Sequence, residues 1–264
     1  MTAVGRSMQT KAGDDRRRQI LEHARGNGHI EVADIALRLD VATETVRRDL
    51  KVLEEHGLVR RTHGGAYPTD GAAFETNMTH RSGHRVPEKR RIALGAAEHF
   101  GDAETIYLDE GFTPQLVAEE LIKLQRPFTV VTASLSVAGL LAPVESMSVI
   151  LLGGRVRGRT LGTVDYWATN MLSDLVIDLA VLGTNGISRD RGLTTPDPAV
   201  SAVKRKVVEV SRRRLFVGIH TKFGTHSFCK FADVADFEIL VTDTGLSTHD
   251  ARRYTALGPA VIRV

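Results

Sequence analysis

Cysteine is almost absent from this chain of 264 residues, and no long hydrophobic run occurs in it. The single cysteine, Cys229, excludes an internal disulfide framework and a cysteine-rich zinc site, and it fits a reducing compartment. A membrane-spanning helix needs about 20 predominantly apolar residues in succession, and no stretch approaches that length. Residues 1–15 also lack the apolar run of a signal peptide. We therefore expect a cytoplasmic protein with no membrane partner.

The composition is that of a globular protein, with 42% hydrophobic and 25% charged residues. The length is sufficient for one domain of about 60 residues and another of about 170. The formal net charge is +3 and the pI is about 9.1, which permits a polyanionic partner without proving one. Any strongly basic surface must therefore come from clustering of cations.

Changes in pattern along the chain divide it into four segments. Residues 1–15 are polar and aperiodic, which predicts a disordered arm. Residues 16–67 carry helical periodicity followed by two short β-rich stretches, and residues 68–87 have the Gly, Pro and polar content of a linker. In residues 88–264, short apolar runs alternate with helix-length segments. This alternation predicts a parallel α/β sheet that is covered on both faces.

The most informative stretch of the first domain combines a helix with a turn. Val46, Leu50 and Leu53 recur with helical spacing and predict an apolar stripe that faces a core. Hydroxyls and cations lie on other faces of the same helix, where they can reach phosphates and base edges. Two short strands that turn at Gly64 and Gly65 then form a basic wing. The predicted DNA-binding residues are Thr43, Thr45, Arg47, Arg48, Lys51, Arg60, Arg61, His63 and Gly64.

Residues 45–66, TVRRDLKVLEEHGLVRRTHGGA, resemble the helix-turn-helix signature of the DeoR family of bacterial transcriptional regulators. Two further helical patterns precede this stretch, at 16–25 and 33–39, so three helices and a wing are expected. The chain departs from the family pattern at Ala42, where a serine usually caps the recognition helix. Thr43 is the alternative cap, one position later.

In the second domain, polar or glycine-rich residues follow the ends of the apolar runs. The carboxyl ends of parallel strands share one edge of a sheet, and ligands bind there. Backbone amides near Thr113 and Ser134, together with Lys222, are expected to hold a phosphate, while Asp109 and Asn185 hydrogen-bond sugar hydroxyls. The predicted effector-binding residues are Asp109, Gly111, Thr113, Thr132, Ser134, Gly153, Gly154, Asn185, Gly186 and Lys222.

This second domain is similar to the sensor domain of the DeoR family, a Rossmann-like α/β fold related to ribose-5-phosphate isomerase and glucosamine-6-phosphate deaminase. The resemblance implies a phosphorylated sugar or polyol as effector, which changes the affinity for a double-stranded DNA operator. It also implies a homo-oligomer, most often a repressor of a carbohydrate-metabolism operon, without cofactor, metal or catalytic residue. Phe112, Ala133 and Ile219 depart from the family pattern, in which Thr, Asn and Asp are common. The ligand can therefore differ, or the pocket can have lost its sensing role.

Two other interpretations stay open at the level of sequence. The second domain could be an isomerase-like enzyme that uses Asp109 or Asp165 as a base, although no nucleophile elbow or metal motif accompanies them. The first domain could be a protein-interaction module, since an amphipathic helix followed by a hairpin is not specific to DNA binding. Asp49 is expected to orient a neighbouring arginine, because a carboxylate that faces phosphates is repelled.

Overall fold

The structure is a computed structural model that describes residues 13, 16–17, 19–24, 27–55, 59–62, 64–68, 82, 85–158 and 160–264. The chain divides into two compact units, Met1–Thr76 and Asn77–Val264. The predicted arm at 1–15 and the predicted linker at 68–87 fall almost wholly outside the described residues, so both stay predictions.

The first unit combines helices with a three-stranded antiparallel sheet. Residues 19–24 are helical. The further elements are α1 (Val32–Arg38), α2 (Thr43–Glu55), β1 (Ile30–Glu31), β2 (Val59–Thr62) and β3 (Gly65–Pro68), with β3 in the centre of the sheet. Val46, Leu50 and Leu53 are buried in one apolar cluster with Ile20 and Ile35. The predicted stripe, helices and wing are therefore confirmed, while β1 is too short to have been predicted from alternation.

Close approach of β1 and β3 explains the second glycine of the wing. Glu31 pairs with Gly65, and a Cβ atom added at Gly65 would overlap the carbonyl oxygen of Ile30. Gly64 adopts φ +89°, a conformation that side-chain-bearing residues rarely adopt. The carbonyl of Gly64 then accepts a hydrogen bond from the amide of Val32 at 2.8 Å. The two glycines thus join the wing to the start of α1.

The second unit is built on a seven-stranded parallel sheet with the order β15-β14-β12-β9-β4-β5-β6. Its strands are β4 (Thr105–Leu108), β5 (Phe128–Thr132), β6 (Met147–Leu151), β9 (Ile177–Leu182), β12 (Ser211–Val217), β14 (Ile239–Thr242) and β15 (Ala260–Arg263). Its α-helices are α3 (Val86–Ala97), α4 (Phe112–Lys123), α5 (Leu135–Leu141), α6 (Tyr166–Ser173), α7 (Pro198–Val210) and α8 (Thr248–Thr255). The predicted parallel α/β sheet is therefore confirmed.

Burial on both faces explains why these strands are nearly continuous apolar runs. Successive side chains of a strand point to opposite faces. Ile106 and Leu108 therefore enter one apolar cluster, while Tyr107 enters the other. The chain adds β5 and β6 on one side of β4 and then returns to add β9 on the other side. This reversal makes the gap between β4 and β9 the topological switch point of the sheet, where open α/β folds hold ligands.

Two small antiparallel sheets, which the sequence patterns do not predict, accompany the main sheet. One is the hairpin of β7 (Arg155–Arg157) and β8 (Gly162–Val164), and the other joins β10 (Gly186–Ser188), β11 (Gly192–Thr195) and β13 (Cys229–Ala232). Their strands have only three or four residues, which is too short for an alternation signal. Both sheets begin just after strands of the main sheet, so they lie at the edge formed by the carboxyl ends of its strands.

Candidate functional site

The predicted DNA-binding residues of α2 lie away from the core of the first unit. Thr43, Arg47, Arg48 and Lys51 are exposed, and Thr45 is half-buried. The Arg47 guanidinium lies 3.4 Å from the Glu44 carboxylate, both at the surface. The sequence periodicity therefore separates a buried stripe from an exposed face on which cations and hydroxyls are grouped.

The start of α2 differs from the prediction. The carbonyl of Ala42 accepts hydrogen bonds from the amides of Thr45 at 2.9 Å and Val46 at 3.3 Å. Ala42 therefore occupies the cap position, and Thr43 is the first residue of the helix. The predicted cap at Thr43 is wrong, because the helix already begins at the position that would have to remain outside it.

Asp49 is the buried acid of α2. It is 3% exposed, and its carboxylate lies 2.5 Å from the Arg16 Nε and 3.2 Å from an Arg17 Nη. Both arginines come from the first helical segment. Asp49 therefore orients arginines and joins α2 to the preceding helix, as expected from its sequence context.

A second acid, which the sequence analysis missed, connects α2 to the wing. The Glu54 carboxylate accepts hydrogen bonds from the Arg61 backbone amide at 2.9 Å and from the Arg61 Nε at 2.6 Å. Arg61 is thus held on β2, near the turn of the wing. Arg60 lies on β2 beside it, while His63 is outside the described residues. An acid near the end of an amphipathic helix carries no local signal of this role.

In the second unit, the predicted effector-binding residues follow the carboxyl ends of five adjacent strands. The order β6-β5-β4-β9-β12 places their five loops side by side along one edge, which we call the rim. Parallel strands make this inevitable, since all their carboxyl ends face the same way. The fold therefore brings together loops that are up to about 110 residues apart in the chain, as the distance from Asp109 to Lys222 illustrates.

Asp109 lies at the switch point and is 1% exposed. Its Oδ2 accepts a hydrogen bond from the Gly183 amide at 2.8 Å and also contacts the Lys204 Nζ. Lys204 is 4% exposed and donates a further hydrogen bond to the Gly183 carbonyl at 3.2 Å. A buried ion pair therefore joins β4, β9 and α7 beneath the rim.

Lys204 is not among the residues predicted from the sequence, although its position carries a signal. Lys204 stands four residues after Val200 and three before Val207, on the face of α7 that is buried with Val203. A lysine on the apolar face of an amphipathic helix needs a buried partner. The pattern thus indicates that an acid must meet Lys204, but it does not indicate which one.

Hydroxyl groups shape the loop after β5. The Thr132 Oγ1 donates to the Leu108 carbonyl at 2.7 Å and accepts from the Ser134 amide at 3.0 Å. The Ser134 Oγ caps α5 by accepting from the Val137 amide at 3.2 Å. In the loop after the neighbouring strand β4, Gly111 adopts φ +119° directly before α4. Thr113 lies in the first turn of α4 and is 8% exposed.

Lys222 joins the loops that follow β9 and β12. Its Nζ donates a hydrogen bond to the Thr184 carbonyl. The next residue, Asn185, accepts a hydrogen bond from the Thr195 hydroxyl at 3.4 Å. Gly186 packs against the backbone of Thr225, where a Cβ atom would come within 2.8 Å of the carbonyl oxygen. These contacts hold the two loops close together on the rim.

The β7–β8 hairpin contacts the rim through Arg157, which was not predicted from the sequence either. Arg157 lies 3.6 Å from the Glu110 carboxylate and 3.1 Å from that of Asp197, which caps α7. The hairpin depends on Gly154, which adopts φ +131° and leaves no room for a Cβ atom beside the Val164 carbonyl. Gly153, the residue before Gly154, donates a hydrogen bond from its backbone amide to the Met171 sulfur at 3.1 Å.

The three departures from the family pattern are all packing positions in this structure. Ala133 and Ile219 are buried within the two apolar clusters. Phe112 packs against one of these clusters, with the Lys89 Nζ 5.5 Å from its ring centroid. A carboxylate is available one strand away from Ile219, at Asp243 after β14.

Two titratable groups near the rim have shifted pKa values. Burial by itself raises the pKa of Asp243, but hydrogen bonds from the His220 amide at 2.7 Å and ring Nδ1 at 2.5 Å outweigh it, so the pKa is lowered. A third bond, from the Gly245 amide, acts in the same direction. Burial raises the pKa of Tyr107 well above its usual value, and the neighbouring carboxylates of Asp109 and Glu110 raise it further. Tyr107 therefore stays a neutral phenol.

Within the described ranges, no three His, Cys, Asp or Glu side chains are grouped so that they could hold a metal ion. No described helix is long and apolar enough to cross a bilayer. A winged helix-turn-helix unit joined to a Rossmann-like α/β unit with a polar rim is the architecture of a DNA-binding regulator. Residues 16–70 match the DeoR-like helix-turn-helix domain, and residues 84–244 match the DeoR C terminal sensor domain. The chain therefore belongs to the DeoR family of transcriptional regulators.

Curated relatives cover most of the chain. It is 31% identical over 224 residues to the glycerol-3-phosphate regulon repressor of Escherichia coli (strain K12), covering 85% of this chain and 88% of that protein. It is 29% identical over 236 residues to the uncharacterized HTH-type transcriptional regulator FruR of Bacillus subtilis (strain 168), covering 89% and 93%. The HTH-type transcriptional regulator GlpR of Haloferax volcanii is 30% identical over 248 residues, covering 94% and 96%.

Among solved structures, ribose 5 phosphate isomerase A from Neisseria gonorrhoeae overlaps the chain at 18% identity and a TM-score of 0.39, covering 52% of this chain and 53% of that protein. Family membership places the chain among DNA-binding regulators rather than enzymes. The two carboxylates considered as bases are both in ion pairs, Asp109 with Lys204 and Asp165 with Arg155 at 2.8 Å.

Proposed function

We propose that this protein is a cytoplasmic repressor of a carbohydrate-metabolism operon. In this proposal a phosphorylated sugar or polyol binds at the rim and modulates the affinity for the operator. The protein acts as a homo-oligomer, because helix-turn-helix proteins read paired half-sites. The names of the curated relatives support a repressor, and the glycerol-3-phosphate regulon repressor makes glycerol 3-phosphate the first effector to test.

One observation carries the DNA-binding part of the proposal. Helix α2 buries Val46 and Leu50 while it exposes Arg47, Arg48 and Lys51. Phosphate contacts by such cations supply much of the affinity for DNA, and side chains at the start of a recognition helix read base edges. Thr43, Thr45, Arg47 and Arg48 are therefore proposed for base readout, and Lys51 with the wing residues Arg60, Arg61, His63 and Gly64 for the backbone.

The effector part rests on the chemistry of the rim. Lys222 and the backbone amides around Thr113 and Ser134 suit a phosphate, since charge-assisted hydrogen bonds to anions are strong. Asn185 suits a hydroxyl group, and the buried Asp109, which is paired with Lys204, is proposed to support the site from beneath the rim. Gly111 and Gly154 adopt positive φ values, Gly186 packs against the Thr225 backbone, and Thr132 accepts a hydrogen bond from the Ser134 amide. These loop contacts support the proposal that the loops, with Gly153, line the effector site.

Fluorescence anisotropy of the full chain on DNA from its own upstream region tests the DNA-binding part. Arg47→Ala with Arg48→Ala should weaken binding strongly and reduce the slope of log affinity against log salt by about 1 for each lost phosphate contact. The matched control is Arg252→Ala with Arg253→Ala, an exposed adjacent pair on α8. Equal loss in both double variants would contradict the assignment of α2.

The same assay with a panel of sugar phosphates and polyol phosphates tests the effector. One compound should shift the affinity of the wild type, and Lys222→Met should remove the shift while DNA binding in the absence of the compound stays unchanged. Lys123→Met, an exposed lysine of α4, is the control that should retain the response. Tight DNA binding with no response to any compound would contradict the sensing role.

A further inference from the structure

Helix α6 presents an apolar face to solvent. Ala168 and Leu172, four residues apart, are buried, whereas Tyr166 and Trp167 are each 67% exposed and Met171 is 38% exposed. A surface helix normally carries polar side chains on its outer face. Exposed apolar groups that lie together mark an interaction site.

These side chains form one continuous surface, which we call the α6 ridge and define as Tyr166, Trp167 and Met171. The rings of Tyr166 and Trp167 meet edge to face, with 5.8 Å between their centroids. Gly153 lies against the other two members: a Cβ atom at Gly153 would be 3.5 Å from the Met171 sulfur and 4.0 Å from the Trp167 Cβ. The end of β6 thus continues the ridge.

The main sheet is open beside the ridge. Among the described strands, none pairs with the outer side of β6. Leu151, the last residue of β6, is 37% exposed and stands two residues before Gly153. An open strand edge next to exposed apolar groups is a surface on which another chain can dock.

A groove runs along the other side of the ridge, between α6 and α7. Tyr166 and Asn170 form its α6 wall, and Ala202, Arg205 and Lys206 form its α7 wall. Arg205 is exposed. The α7 wall also includes Glu209, whose carboxylate lies 3.3 Å from the Lys206 Nζ, so this wall presents the exposed Ala202 beside Arg205 and the Lys206–Glu209 pair. An aromatic ring fits this chemistry, because cations are attracted to the face of an indole.

We propose that this face binds a second copy of the chain about a two-fold axis, with Trp167 of each copy in the α6–α7 groove of the other. A two-fold contact needs a surface that is complementary to itself. The α6 ridge and the α6–α7 groove meet this requirement, because the indole of Trp167 and the groove that would receive it lie side by side on one chain. The inference deepens the homo-oligomer of the proposed function by naming the face that forms it.

Trp167 is the only tryptophan of the chain and reports on its own burial. The wild-type chain should have the mass of a dimer by light scattering at micromolar concentration. On dilution, its tryptophan emission should move to longer wavelength, and quenching by acrylamide should increase, as the indole returns to water. A monomer with a fully quenchable tryptophan at every concentration would overturn the inference.

Trp167→Glu and Tyr166→Glu each place a charge on the ridge and should give monomers. Central aromatic groups of an interface contribute about 30-fold each to affinity, and a two-fold dimer loses two of them, so dimerisation should weaken about 1000-fold. Both positions are exposed, and circular dichroism checks that the variants fold. Tyr166→Glu keeps the tryptophan, whose emission should then match that of the diluted wild type.

Phe228→Glu is the control, because Phe228 is 66% exposed and belongs to neither ridge nor groove. It should remain a dimer. A dimeric Trp167→Glu, or a monomeric Phe228→Glu, would overturn the inference. DNA binding by the wild-type chain is measured separately. A wild-type monomer that binds the operator would overturn this interface alone, whereas a wild-type dimer that does not bind DNA would contradict the proposed function alone.

Discussion

Lys204→Met should destabilise the sensor domain by about 3 kcal/mol. Lys204 and Asp109 are 4% and 1% exposed, so removal of the ammonium leaves a carboxylate with little access to water. Loss of one partner of a buried pair typically costs about 3 to 5 kcal/mol. The Gly183 amide, 2.8 Å from the carboxylate, continues to stabilise it, which places the expected loss at the lower end. Methionine keeps the apolar stem against its neighbours.

The double variant Asp109→Asn with Lys204→Met should be more stable than Lys204→Met alone. Neither remaining side chain is charged, and asparagine still accepts a hydrogen bond from the Gly183 amide. The two substitutions should therefore be coupled by about 2 kcal/mol, which is within the range for residues in direct contact. A double variant that is no better than the single one would refute the idea that an uncompensated charge causes the loss.

Urea unfolding followed by the fluorescence of Trp167 measures this effect in the full chain. The probe lies in α6, so the transition reports the sensor domain even if the two units unfold separately. With a slope of about 2 kcal/mol per molar urea, a loss of 3 kcal/mol lowers the midpoint by about 1.5 M. Protein concentration is held constant throughout.

Lys123→Met is the control for loss of a lysine charge. The Lys123 side chain is 65% exposed and lies 2.8 Å from Glu120. Pairs of this kind contribute between 0 and about 1 kcal/mol, so the midpoint should move little. If Lys204→Met loses less than about 1 kcal/mol, or no more than Lys123→Met, burial of the Asp109 pair does not stabilise the domain.

Further predictions concern pH and two glycines. The lowered pKa of Asp243 contributes stability that is fully present above about pH 4, the ordinary value, and is lost as pH falls through the folded-state pKa. The difference in Tm between wild type and Asp243→Asn should therefore shrink as pH falls below about 4, and a constant difference would contradict this. Gly154→Ala should cost about 2 kcal/mol or more, because φ is +131° and the Val164 carbonyl occupies the Cβ position. Gly139→Ala, in α5 with open space around it, should be neutral or stabilising by up to about 1 kcal/mol, and equal effects of the two alanines would refute the steric account.

The sequence by itself determined the main helices, the strands of the parallel sheet and the location of the rim. The spacing of apolar residues in a helix or strand is a local property of the chain. The spacing of Val46, Leu50 and Leu53 therefore identified the buried side of α2 without knowledge of the segments that pack against it. Apolar runs identified the strands, and their ends located Asp109 and Lys222 on one edge, because parallel strands align their carboxyl ends. Composition and motif together sufficed to recognise the two domain types.

Only the tertiary structure decided which side chains meet at that edge. Lys204 pairs with Asp109 across 95 residues, and Arg157 reaches Glu110 and Asp197 from a hairpin that local patterns do not predict. The apolar face of α6 likewise became visible only when Ala168 and Leu172 were seen to pack inward, leaving the aromatic residues outside. Such pairings depend on how distant segments are placed in space, and the local spacing of residues carries no information about that placement.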